Sequence, residues 1–379
     1  MDPKKPRITP HQLDMFTEPV SDIYRALEDE IFKLVAKRLK TNPIHDKDYV
    51  LQWQVDKMQQ LRMFNAETVK ALSKATGLSE KAIKQAISDV GYGTVKSIDD
   101  ELKSVYDPLP MPSHIDQILE SFINQTFREL DNFVNQTLIT TNFGEGTATR
   151  MYRKIVEETT GRVLAGNITI NQAVAETAIK WSKRGIETAF IDRGGHVWSL
   201  ERYSDTVIRS TVNNTYNELR TSRMGEYGVD LVLVNSYADA RKVCSEIQGN
   251  VASMSNPSSN PKYPSIYEFG YGTPGGIRGI NCRHIFYPFV EGLNTNNQIQ
   301  YDPDEAYQRG KVVQKQRGLE RQVRESKRSL MLAEEVGDLS TIQKYKQQVR
   351  TRQAKVREFV GEHDLPRRYD KERVLVKGW

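Results

Sequence analysis

Apolar residues recur at three- and four-residue spacing through long stretches of this chain, the pattern of amphipathic helices. Ile23, Leu27, Ile31, Leu34 and Val35 mark one face of a helix that starts near Asp22 and is stopped by Asn42-Pro43. Ahead of it, residues 1–22 hold four prolines and little periodicity, and read as an N-terminal arm. A second helical region is expected from about Asp48 to Val90, with breaks near Asn65 and Gly77 and an end at Gly91-Tyr92-Gly93. A third begins near Ser97, is interrupted by Pro108, Pro110 and Pro112, and resumes at Ser113 with Ile115, Ile118, Leu119, Phe122 and Ile123 on its buried face. Two more follow, from about Ala148 to Ala165 and from Ile170 to Arg184, the latter capped by Asn171 and ended by Gly185.

The pattern changes after residue 190. Gly194-Gly195 makes a turn between strand-like flanks, and Leu200 to Tyr227 reads as one long helix. The run Leu231-Val232-Leu233-Val234 predicts a strand buried on both faces, and Ile285 to Phe289 a second. From about Pro303 to Val360 the chain is helical again. Leu319, Val323 and Leu330, then Ile342, Tyr345, Val349, Val356 and Val360, sit at heptad-compatible spacing on either side of Gly337-Asp338. An antiparallel helical hairpin zipped as a short coiled coil is expected. The fold class is therefore α+β and predominantly α, with an elongated helical N-terminal half. Four consecutive segments are expected: an arm over 1–22, a helical domain over 23–189, a small α+β domain over 190–295, and a basic hairpin and tail over 296–379.

Charge adds to this picture because of where it lies. The 379 residues carry a net charge of +5, yet Glu305 to Trp379 alone holds 19 Lys and Arg against 11 Asp and Glu. Basicity is a property of the C-terminal hairpin, which makes DNA phosphates a candidate partner. Lys311, Lys315, Arg321, Arg324, Lys327, Arg328, Arg350, Arg352, Lys355 and Arg357 are the candidate contacts. The hydrophobic fraction is 38%, and no run approaches the roughly 18 apolar residues of a membrane span. The basic N-terminus is not followed by an apolar segment, so a secretory leader is not expected. Two cysteines exclude a disulfide framework and fit a reducing compartment.

Candidate chemistry gathers in the α+β segment. Asp239, Arg241, Cys244 and Gln248 precede Asn281-Cys282-Arg283-His284, with glycines at 249, 270, 272, 279 and 292. Cys244, Cys282, His284 and Asp239 would supply zinc ligands if the two stretches met in space. Against this stands the simpler reading that Cys282 packs as a small apolar residue while Arg283 and His284 bond loop carbonyls. A Cys–His nucleophile would need Cys282 or Cys244 beside His284 or His196, and neither a nucleophile elbow nor a phosphate loop is present. Residues 270–276 are Gly-rich, but Pro274 removes a donor and no Lys-Ser/Thr follows. Ala75 to Ile83 has the outline of a DNA-binding helix-turn-helix, with Gly77 as a C-cap and Ser79 capping the next helix, an outline any two tightly joined helices share.

Ser236 to Arg241, Cys244, Gln248-Gly249, Gly270-Tyr271-Gly272, Gly279 to His284 and Phe286 to Phe289 together resemble the phage minor capsid protein 2 family, related to the Mu F-like head-morphogenesis proteins of tailed phages. Leu365 to Val374 resembles that family's ending, so the likeness runs over about 190–375 and is only organisational over 20–185. It implies a low-copy structural protein of the phage head that is not an enzyme and has no cofactor. Its implied partners are the portal protein, the major capsid protein and packaged double-stranded DNA, and it would assemble in the host cytoplasm and reside in the virion. The helical 23–189 segment would dock on portal or capsid. A DNA-binding or degenerate nuclease-like protein with a Cys/His metal site is the alternative, and a transferase-type effector a weaker one. The chain departs from the family pattern: Tyr237 stands where a His is usual, Asp239 replaces a Gly, Cys244 takes the place of a second His and Ile247 that of a Trp. This favours a structural role for the motif, without metal.

Overall fold

The computed structural model describes residues 10–40, 49–138, 140–141, 144–165, 168–191 and 194–375. In chain order these form α1 (Pro10–Leu39), α2 (Tyr49–Gln59), α3 (Leu61–Leu102), α4 (Ile115–Leu138), β1 (Thr140–Thr141), β2 (Gly144–Glu145), α5 (Thr147–Ala165) and α6 (Ile170–Arg184). Then come β3 (Glu187–Ile191), β4 (Val197–Ser199), α7 (Leu200–Glu226), β5 (Leu231–Val234), α8 (Lys242–Ser245), β6 (Val251–Ser253), β7 (Phe286–Pro288), α9 (Pro303–Val336) and α10 (Leu339–Glu362). The protein is predominantly α, with a small antiparallel sheet, as the periodicity predicts.

These elements form two compact units, each built from three separated stretches of chain. One takes residues 1–19, 81–127 and 205–314; the other takes 20–80, 128–204 and 315–379. The units cut across the four consecutive segments expected from the sequence.

The first unit contains a three-stranded antiparallel sheet in the order β6-β5-β7. β5, the strongest strand signal in the sequence, is central. Val232 and Val234 face one core with Met224, Ile247, Ile277 and Phe286, while Leu233 faces a smaller cluster with Val251 and Phe289. Two arginines of α7 fasten this unit. Arg220 is fully buried, grips the Glu101 carboxylate of α3 through both terminal nitrogens, and donates from Nε to the Phe286 carbonyl in β7. Arg223 pairs with Asp99 at 2.7 Å and donates to the carbonyls of Leu109 and Pro110, at 3.0 and 3.1 Å. The proline-interrupted segment after α3 therefore has its carbonyls satisfied by a side chain, since its prolines preclude a helical ladder there.

Among its described residues the second unit is mainly helical, with two strand pairs, β1-β2 and β3-β4. Leu27, Ile31 and Val35 are fully buried as their spacing predicts, whereas Ile23 and Leu34 are half-buried. Phe64 stacks on Tyr152 with ring centroids 4.7 Å apart. α6 is capped by Thr169, whose Oγ1 accepts from the Gln172 N–H, and not by Asn171; Gly185 closes it at φ 72°. The hairpin forms: Gly337 at φ 86° breaks the chain, and Asp338 caps α10. Arg352 bridges to Glu325 and Lys346 approaches Glu334, the pairing of antiparallel neighbours. Its buried positions include Ser326 and Ser329 beside Val323, Leu332, Ala333, Tyr345, Val356 and Phe359, while Leu319, Leu330 and Val349 are half-buried.

Helix boundaries differ from expectation where glycine and proline were read as stops. α1 begins at Pro10, inside the expected arm, because proline fits a first helical turn that needs no internal N–H donor. Residues 1–9 of that arm, and the expected stop at Asn42-Pro43, lie outside the described residues. α3 runs unbroken through Asn65, Gly77, Gly91 and Gly93. Ser79 caps nothing: its hydroxyl donates to the Thr76 carbonyl at 3.0 Å and accepts from Tyr24 Oη. A continuous helix here removes the helix-turn-helix reading.

Gly91 is a packing residue. A Cβ there would come within 2.2 Å of the Leu119 side chain on α4, so its absence lets α3 and α4 approach. Gly77 faces open space, with nothing within 4 Å of a Cβ. The two substitutions should therefore have opposite signs. Gly77→Ala should stabilise by about 0.5–1 kcal/mol through helix propensity. Gly91→Ala should destabilise by about 1–3 kcal/mol through overpacking. Denaturant unfolding of the two variants checks this, and equal shifts would show that Gly91 is not a contact residue.

Candidate functional site

The two halves of the sequence motif meet in the first unit. α8 carries Cys244, and the loop entering β7 carries Asn281 to His284. Cys244 Sγ lies 3.7 Å from Cys282 Sγ, and Cys282 Sγ lies 3.5 Å from His284 Nδ1. All three side chains are buried, and the three ligand-type atoms lie within 4.8 Å of one another. Both cysteines are free thiols. Asp239 is not part of this group, so the expected fourth ligand is not supplied by it.

Gln248 organises the cluster. Its Oε1 accepts from the Tyr237 N–H at 2.9 Å, and its Nε2 donates to the Tyr237 carbonyl at 3.0 Å. That pair of bonds fixes which end of the amide is oxygen. The same Oε1 lies 3.1 Å from His284 Nε2, which must therefore carry a proton. A neutral imidazole then presents its Nδ1 lone pair toward Cys282. The Tyr237 ring packs edge-on against the imidazole with centroids 5.1 Å apart, and its hydroxyl donates to the Arg283 carbonyl.

The loop that carries Cys282 is held from its other side. Arg241 Nη1 donates to the Ile280 carbonyl at 3.0 Å, Nη2 donates to the Gly276 carbonyl, and Nε points at Cys244 Sγ at 3.3 Å. Asn213 Nδ2 donates to the Cys282 carbonyl at 2.9 Å. A Cβ on Gly276 would sit 1.8 Å from the Gly270 carbonyl oxygen, so the Gly-rich turn is a close backbone crossing. Asn281 takes the left-handed conformation at φ 59°, which asparagine tolerates. Arg283 is exposed and pairs with Asp14 at 3.2 Å. It is thus Arg241, Asn213 and Tyr237, rather than Arg283 and His284, that satisfy the loop carbonyls. The thiols are unequal: the contact with Cys244 holds the Cys282 thiol down, while the shared sulfur contact and burial push Cys244 up.

The ten basic candidates of the hairpin divide into two sets. Lys311, Lys315, Arg321, Arg350, Lys355 and Arg357 are exposed. Arg324, Arg328 and Arg352 are committed within the second unit, and Lys327 is partly buried, its pKa lowered by desolvation. Arg328 pairs with Asp29 and lies 3.7 Å from Glu28 and 3.4 Å from Glu201; Arg324 meets Glu201 at 2.8 Å. Arg25 reaches the same Glu201 carboxylate at 3.4 Å. Three acids and three arginines thus form one buried, charge-balanced cluster joining α1, the start of α7 and α9. Glu28 also accepts from the N–H groups of Ile186 and Glu201, at 3.0 and 3.1 Å, and so caps α7 with a carboxylate. Helical spacing alone cannot tell these arginines from exposed ones, because their acidic partners come from residues some 120 to 300 positions away.

A match to the family described as phage minor capsid protein 2 spans residues 8–361. This chain belongs to that family. It is 37% identical over 366 residues to a structural protein of Lactococcus phage LL-H, covering 94% of this chain and 99% of that protein. It is 47% identical over 120 residues to a structural protein of Lactococcus phage mv4, covering 31% of this chain and 98% of that one. No solved structure matches the chain. The expected resemblance is therefore correct, and it extends well beyond residues 190–375 into the helical N-terminal half. Membership also makes the chain a phage structural protein. Among the described residues no helix is long and apolar enough to cross a membrane.

In this family member the buried cluster around Arg328 is a stability element with a defined pH signature. Burial pushes the Glu28 carboxyl up to about 7 and raises Asp29; burial penalises Glu201 too, but Arg324, Arg328 and Arg25 outweigh it and hold that carboxyl down. Arg328→Leu would leave these carboxylates short of a counter-charge, a loss of about 3–5 kcal/mol for a broken buried pair. The folded-state pKa values of Glu28 and Asp29, already above their unfolded ones, would rise further. Their contribution is then fully present below the unfolded carboxylate range and is lost as pH climbs through about 7. Thermal unfolding of the variant should fall far below the parent at pH 8 and approach it near pH 5. A gap that does not change with pH would exclude the cluster as its origin.

Proposed function

We propose that this protein is a low-copy component of a tailed-phage head that binds the portal or the inner capsid surface during head assembly and touches packaged DNA through its hairpin. Family membership over residues 8–361 carries the reading. The character of the motif supports it: Arg241, Asn213, Gln248 and Tyr237 are spent on holding backbone in place. A buried, cross-braced module of this kind suits a particle component better than a turnover site.

The DNA part of the proposal rests on the exposed cations alone. Arg350 and Arg357, seven residues apart, share one face of α10, and Lys315, Arg321 and Lys355 are also exposed. Contact of this type would be sequence-independent, because lysine and arginine heads meeting phosphate release counterions without reading bases.

Quantitative mass spectrometry of purified heads tests the structural role. The protein should be present at a small fraction of the major capsid protein's copy number; absence from purified particles would exclude it. For DNA, the full chain should be retained on duplex at low salt and released as salt rises. Arg350→Glu with Arg357→Glu should weaken retention and shallow the salt slope by about 2. Retention that ignores both salt and the substitutions would remove the hairpin as the contact.

A further inference from the structure

We propose that Cys244 Sγ, Cys282 Sγ and His284 Nδ1 bind a zinc ion, which cross-links α8 to the loop entering β7 and closes the small α+β module. This departs from the expectation of a metal-free motif, and three observations carry it.

The first is the set of distances. Zinc takes thiolate sulfur at about 2.3 Å and imidazole nitrogen at about 2.0–2.1 Å in a tetrahedral arrangement. Two thiolates on one such ion stand about 3.8 Å apart, and a thiolate and an imidazole nitrogen about 3.6 Å. The protein places the two sulfurs 3.7 Å apart and the Cys282 sulfur 3.5 Å from Nδ1. These match two edges of a zinc tetrahedron, set by the fold across 38 residues of intervening chain, and all three ligand atoms lie within 4.8 Å of one another.

The second is the imidazole tautomer. A histidine ligand must offer a lone pair, and its other nitrogen usually donates to a fixed acceptor that orients the ring. Gln248 Oε1 is that acceptor, since its amide orientation is set by the Tyr237 backbone. Nδ1 is left as the ligating nitrogen, on the side where the sulfurs lie.

The third is the treatment of Cys244. The Arg241 Nε–H points at its sulfur at 3.3 Å, an interaction that relieves negative charge on a metal-bound thiolate. Two thiolates and one imidazole select a soft, tetrahedral divalent ion, and zinc fits without redox chemistry. Binding displaces the thiol protons to solvent, forming two zinc–sulfur bonds and one zinc–nitrogen bond. Asp239 lies outside the group, and a water molecule completes the fourth position.

The test uses the full chain, expressed with zinc in the medium and purified under reducing conditions without chelator. Elemental analysis should find one zinc per chain. Replacement by cobalt(II) should give the visible bands of a tetrahedral thiolate complex. Cys282→Ala and His284→Ala should lose the metal, whereas Arg283→Ala, in the same tetrapeptide but directed at Asp14, should keep it. Should the ligand variants fail to fold, thiol titration of the parent decides. Both cysteines should resist modification until a chelator is added and then react together as zinc is released. Metal-free folded protein with no cobalt spectrum would overturn the proposal. So would unchanged zinc in Cys282→Ala, or a Cys244–Cys282 disulfide in the natively isolated protein.

Discussion

The carboxamide of Gln248 is the constraint on which the small α+β module depends. One amide group is used three times, accepting from and donating to the Tyr237 backbone and accepting from His284. Because the group is buried, each of these bonds is costly to leave unmade. The turn before α8 and the loop before β7 are therefore locked together by a polar contact, even though both belong to the hydrophobic core that surrounds β5. Buried networks of this kind specify one arrangement when every member is satisfied, and here the arrangement sets the ring orientation of His284 and hence the neighbourhood of both sulfurs.

The same logic, with full charges, organises the rest of the chain. In the first unit, Arg220 and Arg223 of α7 hold Glu101, Asp99 and the carbonyls of Leu109, Pro110 and Phe286. In the second, Arg25, Arg324 and Arg328 balance Glu28, Asp29 and Glu201. A chain with 38% hydrophobic residues has limited apolar surface to define how long helices pair. Paired charges in the interior supply directional contacts that apolar packing does not, at the cost of desolvating each partner. The basic character of the C-terminal segment thus has two parts: some of it is internal bracing, and the rest faces solvent.

Much of the fold was legible in the sequence because it followed periodicity. The long helix from Leu200, the hairpin broken at Gly337, and the central strand at Leu231 to Val234 all sit where the apolar spacing puts them. The strand pair around Gly194-Gly195 was legible too, although residues 192–193 lie outside the described set. Boundaries failed where one residue type serves two purposes. Gly91 was read as a helix stop and is a contact with Leu119; Gly77 was read as a turn and is an exposed helical position. β6 carries only three residues, Val251-Ala252-Ser253, too few for alternation to show. The motif residues Cys244, Cys282 and His284 were visible as a cluster, but Asp239 was wrongly grouped with them and the ordering role of Gln248 was not anticipated. Arg220 and Arg223 left no signal, since an arginine on a helix looks the same whether its acid is present in space or not.

Imidazole nitrogen NMR on histidine-labelled protein examines the Gln248–His284 contact at its centre. His284 should be a single tautomer near neutral pH, with the proton on Nε2, and Gln248→Leu should abolish this preference and loosen the loop entering β7. A proton on Nδ1, or rapid averaging between the two nitrogens in the parent protein, would contradict it.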